Sequence, residues 1–114
     1  MQQTASSSLN TKTFMSNIIY HVTTKQEWAI AKANGFYEAA SLAVEGFIHC
    51  STANQVQGVL DRYFLGKTNL VKLVIDTALL TNKLKYELAP SINQEFPHVF
   101  GNINLNAIIE VVEL

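Results

Sequence analysis

The sequence predicts an α+β fold with small mixed or antiparallel sheets and two short helices. Three observations lead there. Short β-branched and aromatic runs alternate with two capped helical segments in the order βαβαβββ. The last three strands follow one another with no long helix between them, so a doubly wound parallel sheet is disfavoured. The chain has 114 residues, 48% hydrophobic and only 15% charged, which suits one compact domain and not a disordered polymer.

The elements follow in chain order. Asn17–Val22 (NIIYHV) reads as the first strand. Thr24 to Glu27 forms a capping-box signature, with the Thr24 hydroxyl on the Glu27 amide and the Glu27 carboxylate reaching back. Trp28, Ile30 and Ala31 supply the apolar face of that helix, and Asn34-Gly35 stops it. Ser41–Val44 is expected as a turn or extended piece, and Glu45-Gly46 as a turn. Phe47–Cys50 (FIHC) is the second strand. Ser51-Thr52 with Gln55 opens a second helix, whose Val56, Val59, Leu60, Tyr63 and Phe64 make the strongest helical stripe in the chain. Gly66 ends it. Asn69–Asp76 is the most aliphatic of the early strands, Ala78–Asn82 a helical turn, and Leu84–Leu88 an alternating, half-exposed strand. Pro90, Pro97, Gly101 and several Asn make residues 89–106 mostly loop, before a last strand at Ala107–Glu113.

Composition excludes several classes. Eight Lys+Arg against nine Asp+Glu leave a net charge of −1, which argues against nucleic acid as a partner. Seven of those cations are Lys and one, Arg62, is Arg, so a bidentate anion clamp has one candidate. The lone Cys50 rules out an intramolecular disulfide and reads as a buried small hydrophobe. No apolar run approaches the ~20 residues of a membrane span. The first residues lack the pattern of a signal peptide, so a cytoplasmic location is expected. Residues 1–16, rich in Gln, Ser, Thr and Asn, are expected to be a flexible tail ahead of a single domain at 17–114.

Four side chains are the candidates for chemistry: His21, His49, Glu87 and His98. Each histidine sits between apolar or aromatic neighbours, where an imidazole without partners costs about 1–3 kcal/mol. His21 lies in the first strand near Thr23, His49 in the second strand near Ser51, and His98 in the segment FPHVFG. Ser51 and Thr52 open a helix, whose free amides cap or seat an anion. Arg62 lies late in that helix and is expected to be solvated or salt-bridged, away from the helix mouth. Glu87 shares a strand face with Lys83 and Lys85, either as the polar side of an edge strand or as a base. No pair of these residues has the HxH or HxxxH spacing of a metal site, so no metal is expected. The three histidines are expected to converge with Ser51 on one cleft.

The motifs assemble into a resemblance. Tyr20-His21-Val22-Thr23, Trp28, Gly35-Phe36-Tyr37, Ser41-Leu42, Glu45 to Ser51 (EGFIHCS), Gln55, Glu87 and Phe96 to Gly101 (FPHVFG) look like the DUF952 family of small bacterial proteins of uncharacterised function, over about residues 17–114. That family resembles the ADP-ribosyltransferase fold, and its motifs are similar to those of RNA 2′-phosphotransferases. In this chain Val22 stands where those enzymes have Gly, and Phe100 where the family pattern has Tyr. The arginines of the phosphotransferases have no counterpart, so transfer of an RNA 2′-phosphate is not implied.

The resemblance implies an enzyme, or the relic of one, that binds a nucleotide such as NAD. His21 and Thr23 would then seat the nicotinamide ribose, His49 and Ser51 the phosphate side, and Glu87 would be the polarising carboxylate. The alternative is a non-catalytic module for a small anionic ligand, using the same mouth. Tyr37, Ser41, Phe47, Phe96 and Phe100 complete the expected binding residues.

Overall fold

Ten residues of helix, Lys25–Asn34, follow the first strand directly, and one threonine makes the junction. Strand β1 runs from Ile18 to Thr24, and helix α1 is that ten-residue segment. The Thr24 hydroxyl accepts the Glu27 amide at 3.0 Å, as the capping signature predicts. The Glu27 carboxylate does not reach back to the cap; it accepts the Thr23 hydroxyl instead. Gly35 closes α1 in left-handed geometry at φ 90°, its amide bonding the Ala31 carbonyl. Trp28 and Ala31 pack on the core, whereas Ile30 turns outward and is 53% exposed.

The computed structural model describes residues 17–114. The expected tail at 1–16 lies outside the described residues. After β2 (Phe36–Tyr37) comes α2 (Ala40–Glu45), a short helix where a turn or extended piece was expected. Gly46 ends it with an amide bond to the Leu42 carbonyl. The described residues therefore hold three short helices, not two. Strand β3 is Ile48–His49. A 3-10 turn, Ala53–Gln55, leads into α3, Val56–Tyr63. Thr52 is the cap here, and its amide donates to the Gln55 side chain at 3.0 Å. Ser51 lies one residue outside the cap.

Strand β4 (Leu70–Asp76) is the centre of a three-stranded antiparallel sheet in the order β1-β4-β8, with β8 at Ile108–Glu113. Five of its seven residues are buried, because neighbours cover both edges and both faces are packed. A second three-stranded sheet has the order β3-β6-β5, with β5 at Lys83–Ala89 and β6 at Gln94–Phe100. The short pair β2 and β7 (Ile103–Asn104) makes the third. All the pairings are antiparallel. The core comprises Ile19, Tyr37, Ile48, Leu73, Ile75, Val99 and Ile103 with smaller residues, drawn from all three sheets.

Strand β6 corrects the sequence reading most. Residues 89–106 were expected to be mostly loop because of their prolines and asparagines. Pro97 instead sits inside the central strand of a sheet, opposite Tyr86. Its carbonyl accepts the Cys50 amide at 2.9 Å, and having no N–H it cannot answer. The ladder with β3 ends there. The chain then crosses to the other sheet, where Tyr20 and Ser51 exchange backbone bonds of 2.8 and 2.7 Å. This bridge stitches the two larger sheets together beside the histidines.

Candidate functional site

The bridge between Tyr20 and Ser51 brings the two histidine-bearing strands side by side. His21 then spans the gap. Its Nδ1 lies 2.5 Å from the His49 carbonyl and its Nε2 lies 2.7 Å from the Tyr37 hydroxyl. A carbonyl only accepts, so Nδ1 carries the proton and Nε2 accepts from Tyr37. Burial holds His21 below its usual pKa of 6.5, and burial pushes the Tyr37 phenol above its own range. The imidazole is thus neutral and committed at both nitrogens.

The register of β3 and β6 sets His49 directly opposite His98. Their ring centres are 5.2 Å apart, edge to face. Phe47 stacks on His98 at 4.0 Å with an interplanar angle of 19°, and its edge meets His49 at 4.9 Å. The Ser41 hydroxyl donates to the Phe47 carbonyl at 2.8 Å and so fixes this stack from α2. The outer nitrogen of His49 meets Glu45 at 3.1 Å, both side chains being about half exposed.

His98 is nearly enclosed, with 12% of its side chain exposed. Its Nδ1 lies 2.7 Å from Glu87 on the neighbouring strand. The carboxylate accepts, so this pair also places the proton on Nδ1, and among the described residues Nε2 has no hydrogen-bond partner. Glu87 is therefore more than the polar side of an edge strand: its face is the one that carries His98 and Phe96. The opposite face, expected to be the buried one, leaves Tyr86 47% and Leu88 54% exposed.

A cavity of about 490 Å³ opens between the sheets and α3. His21, His49, His98 and Ser51 all line it, the convergence expected of them. Phe96 joins them from β6. Helix α3 contributes Val59, Arg62 and Tyr63, its C-cap Phe64, the end of β5 Ala89, and the β5–β6 turn Ser91 and Ile92. No carboxylate stands among the lining residues. Ser51 is 6% exposed, and among the described residues its hydroxyl has no hydrogen-bond partner.

Arg62 is the main surprise. It is solvent-exposed, as expected, but it also lines the cavity, and it makes no ion pair among the described residues. The α3 stripe buries no residue fully, and its Val59, Tyr63 and Phe64 line the cavity. The signal was present in the sequence: helical side chains lean toward the N-terminus, and Gly58 leaves room one turn before Arg62. Other expected residues stand behind the wall. Thr23 is 3% exposed and bonded to Glu27, and Tyr37 is 1% exposed. Ser41, Phe47 and Phe100 support the aromatic stack, with ring centres of Phe47 and Phe100 5.4 Å apart.

Cys50 belongs to the core cluster, and burial raises its thiol to about 12. Among the described residues no group of three or more His, Cys, Asp or Glu is placed to hold a metal ion. Among them, too, no helix is long and apolar enough to cross a membrane.

The fold and the site define a class: an antiparallel α+β domain with a histidine-lined apolar cavity between two sheets. The chain is similar to the crystal structure of protein CC0527 from Caulobacter crescentus, at 32% identity over 85% of each chain with a TM-score of 0.78. A crystal structure of a double mutant of CC0527 matches at 31% identity over 85% of each chain, with the same TM-score. The solution NMR structure of CC0527 matches at 31% identity over 86% of this chain and 84% of that one, with a TM-score of 0.74. The family model DUF952, "protein of unknown function", matches residues 22–111, and the chain belongs to that family. No curated protein matches the chain.

Proposed function

We propose that the cavity binds a small organic anion with a flat apolar body, of mononucleotide size, and that His98 exchanges protons with it. The observation that carries this reading is that His98 lines the cavity while Glu87, which is not part of the lining, holds its Nδ1. About 490 Å³ falls within the roughly 300–1,000 Å³ of small-molecule sites. Glu87 fixes the ring and its tautomer, and Nε2 is left as acceptor or general base. His21 is a strut in this reading, because both of its nitrogens are occupied.

The ADP-ribosyltransferase-like reading of the fold belongs to the same proposal. Its support is spatial: the two segments that carry the resemblance, Tyr20 to Thr23 and Phe47 to Ser51, meet through the backbone bridge. NAD fits in half. Arg62 is the one arginine or lysine on the lining, enough for one phosphate, and a second phosphate finds no second such cation there. A mononucleotide or a comparable aromatic acid matches the lining better.

A thermal-shift series with AMP, ADP-ribose and NAD tests this. A ligand at about 100 times its Kd stabilises the fold by roughly 2.7 kcal/mol. AMP is expected to give the larger shift at equal concentration. Shifts absent for all three compounds overturn the reading. Nicotinamide release from NAD that is lost in Glu87→Ala establishes an NAD-cleaving enzyme in place of a binder, with free ADP-ribose marking hydrolysis and ADP-ribose bound to an acceptor marking transfer.

A further inference from the structure

We propose that Arg62 is the anchor for the ligand's anionic group and that Gly58 is the residue that positions it. This deepens the cavity reading above and rests on it. Four observations carry it. Arg62 is the single arginine of the chain and lines the cavity. Among the described residues no carboxylate neutralises it. Its guanidinium is nonetheless placed: a Cβ on Gly58 would lie 3.0 Å from one terminal nitrogen, 3.5 Å from the other and 3.6 Å from the central carbon. The guanidinium carbon also stands 5.7 Å from the centre of the Tyr63 ring, which lines the same cavity.

The physical reason is simple. Arg62 sits one helical turn after Gly58, and side chains of a helix lean toward its N-terminus. A β-carbon at position 58 would meet one terminal nitrogen at 3.0 Å, so the guanidinium would have to give by a few tenths of an ångström. With glycine there, the exposed fork can lie close to the helix, beside the Tyr63 ring. A pre-placed, unpaired fork gives two parallel donors to a carboxylate or a phosphate without first breaking an ion pair. Ser51 adds a buried hydroxyl with no partner among the described residues, on the same wall. The ligand class follows: an apolar, flat body for Val59, Phe64, Ile92 and Phe96, ending in one carboxylate or one phosphate monoester.

The test uses probes with one body and different ends: 1-naphthyl phosphate, 1-naphthoate and 1-naphthol. One arginine gives one Nε–H signal in an NMR spectrum, so anchoring is read without ambiguity. The methyl signals of Val59 and Ile92 report filling of the cavity independently. The two anions are expected to move both kinds of signal, and naphthol the methyl signals alone. The preferred anion identifies phosphate or carboxylate as the natural end group. Arg62→Gln is expected to weaken the anions by roughly tenfold to a hundredfold, the range of a lost charge-assisted bond, Gly58→Ala by a smaller factor, and both to leave naphthol within a factor of two or so. Methyl shifts with a still Arg62 signal, or unchanged anion affinity in both variants, overturn the anchor while the cavity reading stands. Silence of every signal with every probe overturns both. Amide spectra of both variants verify that they remain folded.

Discussion

Replacing Tyr37 by Phe removes one hydroxyl from the centre of the molecule and leaves everything else in shape. That hydroxyl is the donor to His21 Nε2 at 2.7 Å, on a side chain 1% exposed. His21 stays anchored through Nδ1 to the His49 carbonyl, so its ring cannot turn to find another partner without losing that bond. The variant therefore keeps a buried acceptor with no donor. Such a group costs about 1–3 kcal/mol, and for a domain of about 100 residues each kcal/mol lowers Tm by about 4–8 °C. A fall of roughly 8–16 °C is expected for a loss near 2 kcal/mol. Urea unfolding gives the free energy, and long-range nitrogen NMR of the imidazoles gives the tautomer. Wild-type His21 should show the proton on Nδ1 and stay neutral as pH falls through 6.5, since burial holds its folded pKa below that usual value. The sign follows from linkage: the unfolded chain binds a proton that the folded one refuses. Stability from this group is full above about pH 6.5 and is lost as pH falls below it. A stability change under about 0.5 kcal/mol in Tyr37→Phe, well below the cost of an orphaned buried group, refutes the strut. So does a wild-type His21 with its proton on Nε2.

Three further outcomes are expected. Glu87→Ala releases the His98 tautomer, so the nitrogen spectrum of His98 changes from a single Nδ1–H form to a mixture; because Glu87 is 41% exposed, the stability loss stays under about 1 kcal/mol. Cys50 resists iodoacetamide at neutral pH in the folded protein and reacts on unfolding; its thiol, raised from 9.0 to about 12, also makes stability fall as pH climbs above 9, where only the unfolded chain ionises, and rapid native alkylation at pH 8 contradicts this. Gly101→Ala lowers Tm by several degrees, since position 101 has φ 148° and its new β-carbon would lie 2.5 Å from the Asn82 side chain, which holds the Asn102 carbonyl at 2.9 Å; an unchanged Tm contradicts it.

The local elements were legible where one short stretch of chain decides them. Thr24 caps α1 and Gly35 closes it by local geometry, and β4 declares itself by its aliphatic run. The reading failed where a distant strand supplies the deciding contact. Pro97 reads as a loop residue, yet the missing N–H falls where β3 ends, so the sheet accommodates it. Ala40–Glu45 has no side-chain cap to announce a helix, and its helix is fixed instead by Gly46 and by the Ser41 bond to Phe47.

The site divides the same way. Sequence alone determined which residues are chemically capable: three histidines, Glu87, Ser51, one arginine, and a charge balance that suits a small anion better than a polyanion. Only the tertiary structure decided what each does. Two backbone bonds between Tyr20 and Ser51 turn His21 into a strut, and the β5–β6 register hands His98 to Glu87. For Arg62, distance along the helix from its opening does not measure distance from the cavity. In the folded chain a glycine one turn away lets its fork lie back along α3, beside a cavity wall that the helical stripe itself provides. Composition fixes how many guanidinium groups exist, but which cavity one of them faces depends on the packing of α3 against strands far off in the sequence.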